Sequence, residues 1–177
     1  MERIGKLIDA EEKVLSDARA LLGEVKRVVA SDPKDPFEAV GILSELRDVA
    51  YENLNQIQHE YLILAAVKHL IGNSLVHPDT EWSWNPRQTG TAKEPDLLGD
   101  HQGCCLISAE VTTSRRPIGT IVGRMQSTLE KLNGPEFRGA KYYFVRTDAM
   151  ERKAKSIVDR DGLDIDVVRL SHVRDEL

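Results

Sequence analysis

No apolar run in this chain approaches the length needed to cross a bilayer, and the opening Met1-Glu2-Arg3-Ile4-Gly5-Lys6 has none of the pattern of a secretion signal. No membrane span is expected, and a cytoplasmic location is. The closing Arg174-Asp175-Glu176-Leu177 looks like an endoplasmic-reticulum retention signal; with no secretion signal before it, it reads as coincidence. Cysteine is scarce. Cys104 and Cys105 are adjacent, cannot easily pair with each other, and exclude a disulfide framework; they read as small core residues in a reducing compartment. His69 and His77 stand at no metal-ligand spacing from them, which removes a structural zinc. Glycine-rich phosphate loops, nucleophilic triads and cofactor fingerprints are also missing, so the enzyme classes they mark have little support.

What is present describes one soluble α/β domain with a helical appendage. Hydrophobic residues make up 41% of the 177 and charged residues 30%, enough for a sizeable core. The net charge of −5 argues against a nucleic-acid partner until it is divided along the chain. Residues 1–110 carry 11 basic and 19 acidic side chains; residues 111–177 carry 13 and 10, and nine of those 13 cations are arginine. A mildly positive face in the second part is compatible with phosphate contacts.

Residues 1–73 read as two long helices forming a hairpin. Ile4, Leu7, Val14, Ala18, Leu21, Val25 and Val28 follow alternating steps of three and four, broken only at Glu11. Ser31-Asp32-Pro33-Lys34-Asp35-Pro36 interrupts the chain. The second helix runs from Phe37 to about Ile71 with a stripe of Val40, Leu43, Leu46, Ala50, Leu54, Ile57, Tyr61, Leu64 and Ile71. The hairpin either packs on its own domain or makes a homodimer.

Residues 74–177 alternate strands and helices. Trp82 and Trp84 share a face if their segment is a strand, as core plugs. Pro95-Asp96-Leu97-Leu98 and Cys104-Cys105-Leu106-Ile107-Ser108-Ala109-Glu110-Val111-Thr112 flank the turn-forming Asp100-His101-Gln102-Gly103, so Asp96 and Glu110 fall on neighbouring strands. Alternation puts Glu110 and Thr112 on one face and Val111 on the other. A helix over 121–132, a strand over 141–145, a helix over 148–160 capped by Asp148, and a strand over 165–170 complete the order.

Pro95-Asp96 followed by Glu110-Val111-Thr112, in this order of elements over roughly residues 55–170, resembles the PD-(D/E)XK nuclease superfamily. That resemblance implies a restriction-endonuclease-like core: a mixed sheet flanked by helices, with the long helical hairpin at its N-terminal side. It implies metal-dependent hydrolysis of nucleic-acid phosphodiesters, DNA in preference to RNA, with Mg²⁺ or Mn²⁺ held by Asp96 and Glu110. The chain departs from the pattern at Thr112, where the superfamily has lysine. A threonine can orient a water but adds no charge, so slow or impaired cleavage is expected, and Lys93 is a candidate replacement. By the same resemblance the helix before the hairpin strands often adds an acidic residue, here Glu60; His59 beside it lies about 100° around the helix. Arg87, in the loop before Asp96, and Arg115, Arg116 and Arg124, beyond the second strand, are candidates for phosphate contact. Two other readings stay open: an inactive nuclease-like module that binds nucleic acid or protein, and a helical oligomerisation protein.

Overall fold

The structure, a computed structural model, describes residues 1–85 and 94–170. Along these residues run β1 (Glu2–Ile4), α1 (Leu7–Val29), α2 (Pro36–Gly72), β2 (Glu81–Trp84), β3 (Leu97–His101), β4 (Cys104–Val111), α3 (Thr120–Leu132), β5 (Ala140–Val145), α4 (Asp148–Asp161) and β6 (Asp166–Arg169). No helix among them is long and apolar enough to cross a membrane. The strands form one open sheet in sequential order. β1 to β4 are antiparallel, and β4, β5 and β6 are parallel, so the sheet is mixed and the architecture α/β.

Two parallel crossovers step in the same direction across the sheet, and two connections of one hand put both helices on one face. Met125, Leu129 and Leu132 of α3 and Met150, Ala154 and Ile157 of α4 accordingly share a buried cluster with Tyr143, Val145 and Val167. The other face holds Trp82, Trp84, Leu97, Ile107, Ala109, Val111, Tyr142 and Phe144 against Leu62, Ile63, Ala66, Val67 and Leu70 of α2. Alternation along β4 and β5 thus divides each strand between two cores.

The helical hairpin forms, with changes. Asp35 caps α2 by accepting the Glu38 N–H at 2.8 Å, Pro36 fills the first helical position, and Glu38 reaches back to the Lys34 N–H at 2.8 Å. The seam of α1 is its buried side, with Val14 and Val28 fully covered. Ile4 does not belong to that helix. It ends β1 opposite Trp82, so the hairpin is inserted between two strands of one sheet. The stripe expected on α2 is only partly covered: Val40, Leu43, Leu54, Tyr61 and Ile71 are exposed. Ala39, Ile42, Leu46, Val49 and Ala50 are the half-buried positions in the N-terminal part, and the C-terminal part is buried almost all round. A helix that changes neighbours along its length has no single stripe.

Three smaller expectations change. Thr147, not Asp148, caps α4, accepting the Met150 N–H at 3.3 Å. Cys104 is exposed and Cys105 half-buried, because they sit beside the turn rather than in the middle of the strand. The turn itself is only Gln102-Gly103, with φ of 51° and 78°, the two positive angles of a type I′ hairpin. Residues 171–177, which include the Arg174–Leu177 motif, lie outside the described residues, as do Arg87 and Lys93.

Gly139 precedes β5 at φ 73°, and a Cβ there would overlap the backbone carbonyl of Leu106. Gly23 on α1 has open space around it. Gly139→Ala is therefore expected to lose about 2–4 kcal/mol in urea denaturation, through strain and the forced separation of β4 and β5. Gly23→Ala should gain up to about 1 kcal/mol from helix propensity. Equal effects at the two sites would contradict this account.

Candidate active site

The β3–β4 register, Leu97 opposite Ala109, brings Asp96 level with Glu110 where the two strands leave the sheet. Each carboxylate is 1% exposed. Asp96 Oδ2 accepts the Val111 N–H at 2.8 Å and faces His59 Nε2 of α2 at 3.2 Å. Glu110 Oε1 receives the ammonium of Lys131 at 2.8 Å. Lys131 rises from the last turn of α3, donates also to the Glu94 carbonyl at 3.1 Å, and lies over the Phe137 ring with Nζ 5.6 Å from its centroid. Its position is therefore fixed by the segment just before Asp96 as well as by Glu110.

Two carboxylates in one buried place cannot both ionise at ordinary pH without compensation. Burial first, and then the neighbouring Asp96, push the Glu110 carboxyl up to about 8, against the opposing pull of Lys131. Tyr143, opposite Glu110 in the β4–β5 register, is also raised by burial, while its hydrogen bond with Thr112 acts the other way. A cleft of about 870 Å³ opens over this group, lined by His59, Glu110, Thr112, Ser114, Arg124 and Tyr143 among others.

The expected residues divide as follows. Asp96 and Glu110 are brought together, Thr112 stands two residues on along the same face, and Arg124 reaches the same cleft from α3. Arg115 and Arg116 line a neighbouring cleft of about 840 Å³ with Arg152 and Thr147; Ser114 and Ile121 border both clefts. Glu60 stands apart. Its carboxylate takes Lys13 at 2.9 Å and Gln56 at 3.0 Å, facing α1, and the one-residue rotation of the helix sends His59 to Asp96 instead.

Lys131, His59 and Tyr143 were not foreseen as site residues. Lys131 had a signal: it is the only lysine between Lys93 and Lys141, within the strand–helix unit that follows Glu110. Its approach to Glu110 depends on the pitch and length of α3, which sequence spacing leaves open. Tyr143 follows from the parallel register of β5, which no local pattern announces.

Among the described residues no group of three or more His, Cys, Asp or Glu side chains is assembled around one point. A metal would therefore rest on two carboxylates, a donor set that suits Mg²⁺, which keeps several waters and takes one or two carboxylates. The raised Glu110 carboxyl marks surplus negative charge that a dication would relieve. On this chemistry the residues fit. Comparison of the chain with family models, with curated proteins and with solved structures gives no match.

The Glu110 shift has a defined sign. The native state keeps a proton that the unfolded chain loses above the ordinary carboxylate range, so its contribution is fully present at low pH and is lost as pH rises through about 8. Without added metal, the wild type should lose stability between about pH 5 and 9, and Glu110→Gln should lose less. Parallel profiles in denaturation at several pH values would show that Glu110 titrates normally.

Proposed function

We propose that this chain is a metal-dependent phosphodiesterase of nucleic acid with a restriction-endonuclease-like core, DNA being the preferred substrate. The observation that carries this reading is the buried Asp96–Glu110 pair with the Lys131 ammonium on Glu110, the carboxylate of the pair that lines an open cleft. Thr112 leaves the strand position without a charge. Lys131 supplies one to the same carboxylate from the helix.

Asp96 and Glu110 would hold Mg²⁺ or Mn²⁺, with the Val111 carbonyl as a further oxygen. Such an ion, when bound, supplies Lewis acidity to the phosphate and lowers the pKa of a water. The protein groups do the rest. The Val111 N–H and His59 orient the Asp96 carboxylate, and Lys131 favours the ionised form of Glu110. The ammonium also stands within the site as a fixed charge for developing negative charge on the phosphate oxygens. Thr112, tied to Tyr143, presents its hydroxyl to the cleft rather than a charge. Arg124 in the first cleft, with Arg115, Arg116 and Arg152 in the second, supports an anionic polymer lying across the shared Ser114 wall.

Incubation with plasmid DNA and with single-stranded RNA, in Mg²⁺ or Mn²⁺, tests the reading. Cleavage should require the metal, prefer DNA and vanish in Glu110→Ala. Lys131→Ala should slow it by about 10²-fold or more, the scale for loss of a charge partner at a transition state. Thr112→Lys placed in that background should recover part of the rate. If the wild type binds metal and nucleic acid but cuts neither, the chain is an inactive binding module; if Glu110→Ala cuts as well as wild type, the site is misassigned.

A further inference from the structure

We propose that the hairpin carries a second apolar seam, and that its occupant is the same seam of another copy of this chain, running antiparallel. The seam first read on α1 is consumed inside the protein, against α2. Immediately beside it Ile8, Leu15, Leu22 and Val29 recur every seven residues, and each remains about half exposed, between 49% and 58%. A stripe of strict sevens over most of a 23-residue helix is the pattern that another long helix covers. Solvent alone would not select it.

The stripe continues onto α2. Ion pairs Arg27–Glu45 and Lys13–Glu60 fix the level at which the helices pass, so Val29 runs level with Leu43 and Leu22 with Ala50. In an antiparallel pair the positions flanking the seam on one side of both helices are neighbours, which joins exposed Leu43 and Leu54 to the α1 stripe. These six side chains expose roughly 600 Å², most of the roughly 800 Å² that each partner gives to a standard interface and more than scattered surface apolar residues supply.

Charge selects the occupant and the direction. Glu11 and Glu12 flank the first half of the stripe and Arg19 and Lys26 its second, while Lys13, Asp17, Glu24 and Arg27 stand on the other side of α1, where Lys13 and Arg27 pair with Glu60 and Glu45. Antiparallel self-pairing about the middle of the helix sets Ile8 against Val29 and Leu15 against Leu22, with Glu12 beside Lys26 of the partner copy. Parallel pairing would set each charge beside its own copy. Arg19 does meet itself at the axis, a contact that a long exposed side chain relieves by turning to water. The pairing requires no other protein and does not depend on the chemistry assigned to the cleft.

Sedimentation equilibrium of the full chain at about 100 µM should give a mass near twice 19.8 kDa. Leu15→Lys with Leu22→Lys should give the single mass, with unchanged circular dichroism and, at a protein concentration low enough for the wild type to be monomeric too, an unchanged urea midpoint because both positions are exposed. Glu12→Lys alone and Lys26→Glu alone should each weaken the dimer by roughly severalfold, and the two together should restore it. A wild-type monomer at that concentration overturns the proposal, and so does a dimer indifferent to the leucine changes. Failure of the double charge swap to restore affinity overturns the antiparallel arrangement.

Discussion

A pair of carboxylates has been taken out of water at the point where β3 meets β4, and much of the surrounding structure answers that cost. Burying one charge costs several kcal/mol even after relaxation, and two like charges cost more. The Val111 N–H, the His59 ring and the Lys131 ammonium each offset part of it, and they come from three different elements: the strand itself, α2 and α3. The compensation is incomplete, since burial and the neighbouring Asp96 still push the Glu110 carboxyl up against the pull of Lys131. Such a pair lowers stability, and it stands at the end of the β3–β4 ladder, where the two strands leave the sheet.

Helix α3 links the site to the rest of the core. Met125, Leu129 and Leu132 anchor it on the sheet, and the flank beside them lines the cleft through Arg124 and Thr128, together with Met125 itself. Its final turn presents Lys131 beside Glu110. The same three apolar residues that stabilise the helix therefore set the height of the ammonium, and a helix one residue shorter or rotated would lose it. Position is inherited from packing.

The sequence shows β3 to β6, the hairpin turn and the pairing of Asp96 with Glu110, because each depends on patterns within a few residues: alternation, turn chemistry, a proline before a carboxylate. It shows α1 well, since that helix keeps one neighbour throughout. It misleads on α2, where Val40, Leu43 and Leu54 share the stripe of buried Leu64 yet face outward. It misplaces Ile4, whose β pairing is with a residue 78 positions away, and it chooses Glu60 over His59, which differ only by a turn of 100°. Lys131 lay outside any motif. What stayed hidden in each case was a long-range partner, and composition carries no record of partners.

The placement of β1 bears on the order in which the molecule assembles. Its three residues are made before the hairpin, yet the edge they complete does not exist until β2 has been laid down beside β3. Pairing then closes a loop containing both long helices, and the entropy of that closure is smaller if the hairpin has already collapsed into a rigid block whose ends lie together. Helix pairing is local and fast, sheet completion distant and slow. A strand made before the hairpin would on this account find its place after it, waiting for a neighbour that its own sequence cannot supply.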